Sequence, residues 1–561
     1  MTTRADMWKK LGTGPFDLLV IGGGITGCGI ARDAARRGLK VALIEMRDFA
    51  FGTSSRSSKL VHGGLRYLEM GELSLVFEAV SERRILMDIA PHIVNPLGFL
   101  FPVYKGSRHS RWFINAGIWV YDGLSLFRSP KLHQNLDAKG VHAVEPLLKQ
   151  EGLDGAPLYY DCSTDDARLT LENAMDAANA GAAMATYAKA RSFLLDEAGR
   201  VCGAVVEDTI TGERVEVKAS SVVNATGPWT DRTLAMSPAT QGTLLRPTKG
   251  VHIVVPFDKL PLNHAVVCMH PKDGRILFAI PWGDRTYIGT TDTDYRGDPG
   301  DVHADRSDVH YLVDASNSYF PAKMLTPDDV ISTWAGLRPL VAPEGPGVGE
   351  SQVSREHSVI IGRDGIVTIA GGKLTTYRRM AAEVVDTACN LLKLSNRLTA
   401  TLVAANTDRE PLPGAIGWPA DDDASKVAAQ VAEAAKKRLS DATCLYLAER
   451  YGTRSIDIAK LVAADEALGK ALVEGRPEIL AQVDWAVTKE MAFTVSDFMV
   501  RRTQLYFRDS DQGLTCTDAV GERMATLLGW TAEHTKVDGD TYRAEVTRSR
   551  QWRSEQVPTP A

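Results

Sequence analysis

Residues 16–45, FDLLVIGGGITGCGIARDAARRGLKVALIE, constrain the fold more than any other stretch. An apolar run from Phe16 to Ile21 ends at Gly22, and Gly22, Gly24 and Gly27 then open a segment of helical character. A second apolar run, Val41 to Ile44, finishes on Glu45. This is the strand–turn–helix–strand unit of a dinucleotide site. Gly22 permits the tight turn, Gly24 admits the backbone close to a pyrophosphate, and Gly27 lets helix and strand pack closely. The helix N-terminus offers unpaired N–H groups to phosphates. Glu45 is placed to accept hydrogen bonds from an adenosine ribose. Glycine spacing alone also occurs in turns of unrelated α/β proteins. The flanking strands and the terminal acid are what favour the dinucleotide.

With 561 residues, the chain has room for two to four domains. A net charge of −6 argues against a nucleic-acid partner. The seven cysteines are scattered, odd in number and free of any C-x-x-C pair. That pattern fits a reducing compartment, without a disulfide framework or a thiolate zinc site. The first residues, MTTRADMWKKLG, lack the apolar core of a secretory signal and are expected to run straight into the first strand. No apolar run approaches the ~20 residues of a membrane-spanning helix, so any membrane association is expected to be peripheral.

A polar segment, 52–72, follows the nucleotide unit; its serines and glycines suit a ligand-facing loop. Helices are predicted over 74–90 and 165–182. Between them Lys105, Arg108, Arg111, Trp112, Phe113, Trp119, Tyr121, Phe127 and Arg128 mix basic and aromatic side chains. VCGAVVEDTITGERVEV predicts a hairpin turning at Thr211-Gly212 and leading to Ala225-Thr226-Gly227. Residues 246–353 alternate strand and turn signals, as in an antiparallel sheet able to cover a ligand. Another strand ends at Gly371-Gly372, with a helix beginning near Thr375. Beyond Asn396 the pattern turns helical: Val427, Val431 and Ala435 share one face, and helices are expected over 443–451, 456–472, 477–487, 495–506 and 518–528. Asp538 and Asp540 hint at a calcium loop, but the required glycine and glutamate are missing from their positions.

Several separated strings now agree in order: TSSRSSKLVHGGLRYLE from Thr53, NATGPW from Asn224, KGVHIVVP from Lys249, IPWGDRTYIGTTD from Ile280, GLRPL from Gly336 and GGKLTTYR from Gly371. With PLPGA and VDWAVTKEMAFTVSDFMVRRTQL near the C-terminus, the sequence resembles the FAD-dependent sn-glycerol-3-phosphate dehydrogenases over nearly its whole length. The resemblance implies an α/β protein with a Rossmann-like FAD-binding domain of the glutathione-reductase/D-amino-acid-oxidase type. An antiparallel-sheet substrate domain and a helical C-terminal cap domain complete it. The implied FAD domain is discontinuous, over 1–103, 163–235 and 354–398. A substrate or cap insertion covers 104–162, the substrate sheet 236–353 and the helical domain 399–561. No extra calcium module of the mitochondrial kind is expected, and the resemblance is to the bacterial, aerobic type, which the family implies is quinone-linked.

By the same resemblance, FAD contacts are expected from Gly22, Gly24, Gly27, Glu45, Thr53, Ser54, Ser57, Ser58, Leu60, His62 and Gly63. Others are expected from Ala190, Ala225, Thr226, Gly227, Trp229, Gly371, Gly372, Lys373, Leu374 and Thr375. The flavin ring is placed between segment 54–64 and the Gly371 turn. There the helix dipole and Lys373 would meet the ring edge that gains charge on reduction. The implied reaction removes the C2 hydroxyl proton of glycerol 3-phosphate as hydride passes to FAD, giving dihydroxyacetone phosphate; no metal is needed. Arg66, Arg338 and Arg355 are the expected phosphate ligands, since a guanidinium meets phosphate bidentately, and Tyr67 can add a hydroxyl. His62 and His252 are the candidate bases, because imidazole titrates near neutrality; Arg338 also suits the developing alkoxide. His252 lies in an apolar strand, where a hydrogen-bonded core histidine is the ordinary reading. His109, His133 and His142 read as surface, Cys28 as packing, and Asp292 and Asp294 as turn residues rather than a metal pair.

Electrons are expected to leave FAD for a membrane quinone. The basic–aromatic stretch would then lie on the inner face of the cytoplasmic membrane, although Asp122 interrupts its apolar side. Rival readings are an oxidase using O2 on the same substrate, an amine oxidase of the same flavin superfamily, and a non-catalytic flavin-binding protein. The helical domain is expected to cap the substrate domain, form a homodimer contact or support membrane docking.

Overall fold

The computed structural model describes residues 3–64, 72–107, 110–124, 131–239, 242–342, 356–398 and 400–555. Strand Phe16–Ile21 is buried at every position, as a strand covered on both faces must be. It runs parallel to Val41–Ile44 on one side and to Arg214–Asn224 on the other. Ala183–Ala185 and Val367–Gly371 extend the parallel sheet at either end. His357–Ile361 adds an antiparallel edge. Strands Ala188–Leu195 and Val201–Asp208 form a meander with Arg214–Asn224, and the hairpin predicted at Thr211-Gly212 joins the last two. Helices Ile25–Arg36, Asp166–Asn179 and Tyr377–Leu394 bury Ile30, Ala34, Leu171, Met175, Val384 and Val385 in one core beside this sheet.

The second sheet is mostly antiparallel. Thr248–Pro256 pairs with Ser332–Arg338 on one side and with Arg285–Gly289 and Thr293–Asp294 on the other. Ile276–Trp282 and Ala265–Met269 continue it. It is not purely antiparallel as expected: Ala265–Met269 runs parallel to Val94–Leu100. Leu60–Val61 and Val94–Leu100 also join this sheet through Leu153–Thr164, so the segment following the nucleotide unit crosses from one sheet to the other. Helix Arg306–Tyr319 interrupts the predicted run of strands. An Asp305/Asp308 capping box starts it, and Val309, Leu312 and Val313 bury its inner face.

The C-terminal region is helical, with differences in detail. Val427 and Val431 are buried on helix Ala424–Ala434, and Ala435 follows at its cap. The helix expected over 456–472 stops at Ala464 and gives way to a short turn of 3-10 helix. The one expected over 477–487 is Ala481–Glu490. The one expected over 495–506 is a π-helical segment, Asp497–Thr503, broken from Leu505–Arg508 by Gln504 at φ +75°. Near the two ends of the chain, two further helices lie outside the expectations. Arg4–Leu11, capped by Thr3 and Asp6, precedes the first strand. Ala532–Ser549 contains Asp538 and Asp540, whose helical setting replaces the calcium-loop pattern.

Helix Arg111–Leu124 corrects two expectations. Asp122 does not interrupt an outward apolar face; it is buried, and its Oδ2 lies 2.7 Å from His133 Nδ1. His133 is therefore no free surface residue, and it also packs edge-on against Trp119. Trp112, Phe113, Trp119 and Val120 remain exposed. No described helix is long and apolar enough to cross a membrane.

Buried ion pairs tie the helical region to the nucleotide unit. Arg168 pairs with Glu490, Arg450 with Asp165, and both Arg501 and Arg502 with Asp48.

Candidate active site

A cavity of about 400 Å³ runs along the carboxyl ends of the parallel strands, where open α/β sheets bind ligands. Gly22 turns the chain at φ +112°, and a Cβ there would sit 2.5 Å from the Ala225 carbonyl oxygen. A Cβ on Gly27 would land on the Gly22 carbonyl, so helix and strand touch backbone to backbone. Gly24 faces only the Ser54 hydroxyl, at 3.1 Å from its Cβ position, and lines the cavity with Ile25 and Thr26. The Ile25 N–H donates to Ser54 Oγ at 2.9 Å. Glu45 accepts from the Gly23 N–H at 2.6 Å and the Arg47 N–H at 2.9 Å. Burial raises its pKa above the ordinary carboxylate value, against the lowering pull of those two bonds.

Thr53, Ser57, Ala190, Ala225, Thr226, Gly227 and Trp229 line the same cavity. So do Gly371, Gly372, Lys373 and Leu374, the two glycines with φ +75° and +88°. Phe51, Lys189, Arg232 and Met236 line it too, outside the expectations; only their closeness in sequence to expected contacts such as Thr53, Ala190 and Trp229 hints at them. A glycine floor at a helix start, a buried acid at the second strand and a second glycine turn at the far end suit an extended dinucleotide.

Gly27, Ser58, Leu60, His62, Gly63 and Thr375 are outside the lining, and their positions show how the walls are held. The Thr375 hydroxyl accepts from the His62 N–H and donates to the His62 carbonyl, both at 3.1 Å. That clasp joins the two segments expected to flank the flavin. Leu60 pairs with Ser163 in the second sheet. The Gly63 N–H reaches Tyr121 Oη at 3.0 Å and Asp161 Oδ1 at 3.2 Å.

Ser57 and Lys59 are pinned by Asp166. Its Oδ2 accepts from the Ser57 N–H and hydroxyl, at 3.0 and 2.7 Å, and its Oδ1 accepts from Lys59 Nζ at 2.7 Å. The Lys59 ammonium also lies over the Trp334 and Phe507 rings, at 5.4 and 5.0 Å. This anchorage leaves Ser58 Oγ 2.9 Å from His252 Nε2. The His252 ring stacks on Trp334 at 4.6 Å, is 3 % exposed, and does not line the cavity. Burial, then the charges of Arg338 and Lys59, hold its pKa well below the ordinary imidazole value. His252 is thus neutral near pH 7 and a weak proton acceptor.

That shift has a measurable sign. Below about pH 6.5 the unfolded chain protonates this imidazole and the folded chain does not, so acidification costs up to about 1.4 kcal/mol of stability by pH 5.5. His252→Phe keeps the stack and removes the proton uptake. Calorimetry of the variant is expected to show a smaller fall in melting temperature between pH 7.5 and 5.5 than the parent protein; an equal fall contradicts the assignment.

Arg338 donates to Asp292 Oδ1 at 3.0 Å, to Thr290 Oγ1 at 3.1 Å and to the Thr291 carbonyl at 3.2 Å. Asp294 pairs with Arg246. Both aspartates of the GTTDTD string are therefore counter-ions of arginine. Arg66, Tyr67, Arg355, Arg108, His109, Phe127 and Arg128 lie outside the described residues.

The fold and cleft define a dinucleotide-binding protein. Residues 17–378 match the FAD dependent oxidoreductase family, and residues 405–535 match the C-terminal domain of alpha-glycerophosphate oxidase. The aerobic glycerol-3-phosphate dehydrogenase of Staphylococcus haemolyticus is 39% identical over 93% of this chain and 93% of its own. That of Staphylococcus aureus is 40% identical over 94% and 93%. The crystal structure of the Bacillus halodurans glycerol-3-phosphate dehydrogenase complexed with FAD superposes with a TM-score of 0.80 at 34% identity, covering 99% of this chain and 100% of that one. The chain belongs to the aerobic glycerol-3-phosphate dehydrogenase family of FAD-dependent oxidoreductases.

Proposed function

We propose that this enzyme oxidises sn-glycerol 3-phosphate to dihydroxyacetone phosphate and passes the electrons to a membrane quinone. The observation that carries the reading is the Thr375–His62 clasp, which joins the HGG and GGKLTTYR segments beside the cavity. FAD, when bound, supplies the hydride acceptor. Lys373 sets a cation on that cavity. His62 takes the C2 hydroxyl proton, a task for which the buried, acid-shifted His252 is the poorer choice. Arg338 stabilises the developing alkoxide, and Arg66, Tyr67 and Arg355 hold the phosphate.

Anaerobic mixing of the yellow protein with glycerol 3-phosphate is expected to bleach its absorbance near about 450 nm, a property of the flavin. Persistent colour sinks the reading. Arg66→Ala or Arg355→Ala is expected to raise KM by about 10- to 100-fold, the worth of a charge-assisted hydrogen-bond pair. FAD content stays at parent level in both. An unchanged KM in both removes them from the phosphate site. Peroxide released in step with substrate loss would identify O2 as the acceptor instead.

The exposed Trp112, Phe113, Trp119 and Val120 on helix Arg111–Leu124 support peripheral docking on the inner face of the cytoplasmic membrane. The double variant Trp112→Ser, Trp119→Ser is expected to lose co-sedimentation with anionic lipid vesicles while keeping activity toward a soluble dye. Equal sedimentation of variant and parent would discard this face.

A further inference from the structure

His62 leaves strand Leu60–Val61 with the peptide groups on both of its sides held. Its own N–H and carbonyl meet the Thr375 hydroxyl, each at 3.1 Å. That carbonyl and the Gly63 N–H belong to one peptide group and point opposite ways. Thr375 therefore holds one pole of the group. Tyr121 Oη and Asp161 Oδ1 hold the other, at 3.0 and 3.2 Å from the Gly63 nitrogen.

Three elements build this second anchor. Tyr121 comes from helix Arg111–Leu124, Asp161 from strand Leu153–Thr164 and Arg83 from helix Leu73–Ile89. All three side chains are buried. Their hydrogen bonds can run only one way, because Arg83 and the Gly63 N–H only donate and a carboxylate only accepts. The Tyr121 hydroxyl gives its proton to Asp161 Oδ1, at 2.6 Å, and accepts from Gly63 and from Arg83 Nη1, the latter at 3.1 Å. Burial, then the Asp161 charge, holds that phenol well above its usual pKa, so the proton stays. Arg83 pairs with Asp161 as its counter-charge. A Cβ on Gly63 would collide with the Tyr121 hydroxyl and with Val80, so the close approach requires glycine. A buried ion pair is weak evidence for stability. What this one secures is the orientation of a peptide group beside the flavin cavity.

We infer that Tyr121 and Asp161 are positioning residues for His62, acting through the Gly63 N–H. With both of its peptide groups fixed, the imidazole keeps only its side-chain torsions and is held for the C2 hydroxyl proton. The inference rests on the proposed role of His62 as the base. Loss of such positioning slows the chemical step without weakening substrate binding.

The test uses the full-length FAD-loaded protein, reduced anaerobically by saturating glycerol 3-phosphate. Tyr121→Phe keeps the ring and removes the hydroxyl. It is expected to slow flavin reduction about tenfold, with the FAD content and KM of the parent. Asp161→Asn weakens the other acceptor of the same N–H and is expected to slow reduction likewise, so the test does not depend on one variant folding. His62→Ala is expected to slow it about 100-fold or more. Adding Tyr121→Phe to His62→Ala is expected to cost nothing further, because residues that act as a unit are not additive. Parental rates in both Tyr121→Phe and Asp161→Asn, beside a slow His62→Ala, overturn the inference and leave His62 as the base. A double variant whose losses multiply also overturns it, since Tyr121 then acts elsewhere. A parental rate in His62→Ala removes His62 as the base, and the inference with it.

Discussion

Asp48→Asn is expected to purify nearly colourless, with FAD affinity reduced at least tenfold and a clearly lower melting temperature. Asp48 is fully buried and receives Arg501 Nε at 2.5 Å and both Arg502 Nη groups at 2.7 and 2.8 Å. Burial pushes its carboxyl up, but Arg502 and Arg501 outweigh that and hold its pKa below the ordinary value. Neutralising Asp48 leaves Arg501 with Asp497 alone and Arg502 with only the more distant Glu490, at 3.6 Å, which Arg168 already engages; breaking a buried pair costs about 3–5 kcal/mol. The damage falls on the cofactor site because Asp48 sits between Glu45 and Phe51, both on the cavity wall, and the chain there closes through the Ala50 N–H to the Gly23 carbonyl at 3.0 Å. The flavin-to-protein absorbance ratio after gel filtration checks this. Full parental FAD content in a folded variant would show that the helical region does not hold the loop.

The three glycines of the nucleotide turn are expected to separate by consequence. Gly24→Ala should fold, with near-parental circular dichroism, yet bind FAD at least 100-fold more weakly. Its Cβ meets only the rotatable Ser54 hydroxyl, at 3.1 Å, but it projects where a pyrophosphate must approach. Gly22→Ala and Gly27→Ala should lose soluble protein altogether. The first sets a Cβ 2.5 Å from the Ala225 oxygen at φ +112°, and the second drives one into the Gly22 carbonyl. Neither obstacle can move freely, since both are backbone directly at the ends of central strands and bonded to them, Gly22 N–H to the Ile44 carbonyl and Ala225 N–H to the Ile21 carbonyl. Gly24→Ala retaining parental FAD affinity would contradict the placement of the phosphates at this turn.

The nucleotide unit is legible because its signals are local. Strand, turn, helix and acid lie within 30 residues, and each glycine answers to a neighbour a few residues away or to the adjoining strand. The 201–224 hairpin and the Val427/Val431 helix face are legible for the same reason. Helix Arg306–Tyr319 hides in the sequence because its apolar positions are few and diluted by polar residues, although its Asp305 cap is visible there. Asp122 misleads because nothing in its own helix reveals that His133, across the next turn of chain, will draw it inward.

The sequence by itself determined the dinucleotide turn, the order of sheet and helical regions, and the strings that resemble one flavoenzyme family, since all of these are written in short-range spacing. Tertiary structure alone decided that Asp48 answers Arg501 and Arg502 more than 450 residues away, and that Asp166 pins Lys59. The physical reason is that a buried charge selects its partner by proximity after folding, and that proximity leaves no periodic trace along the chain.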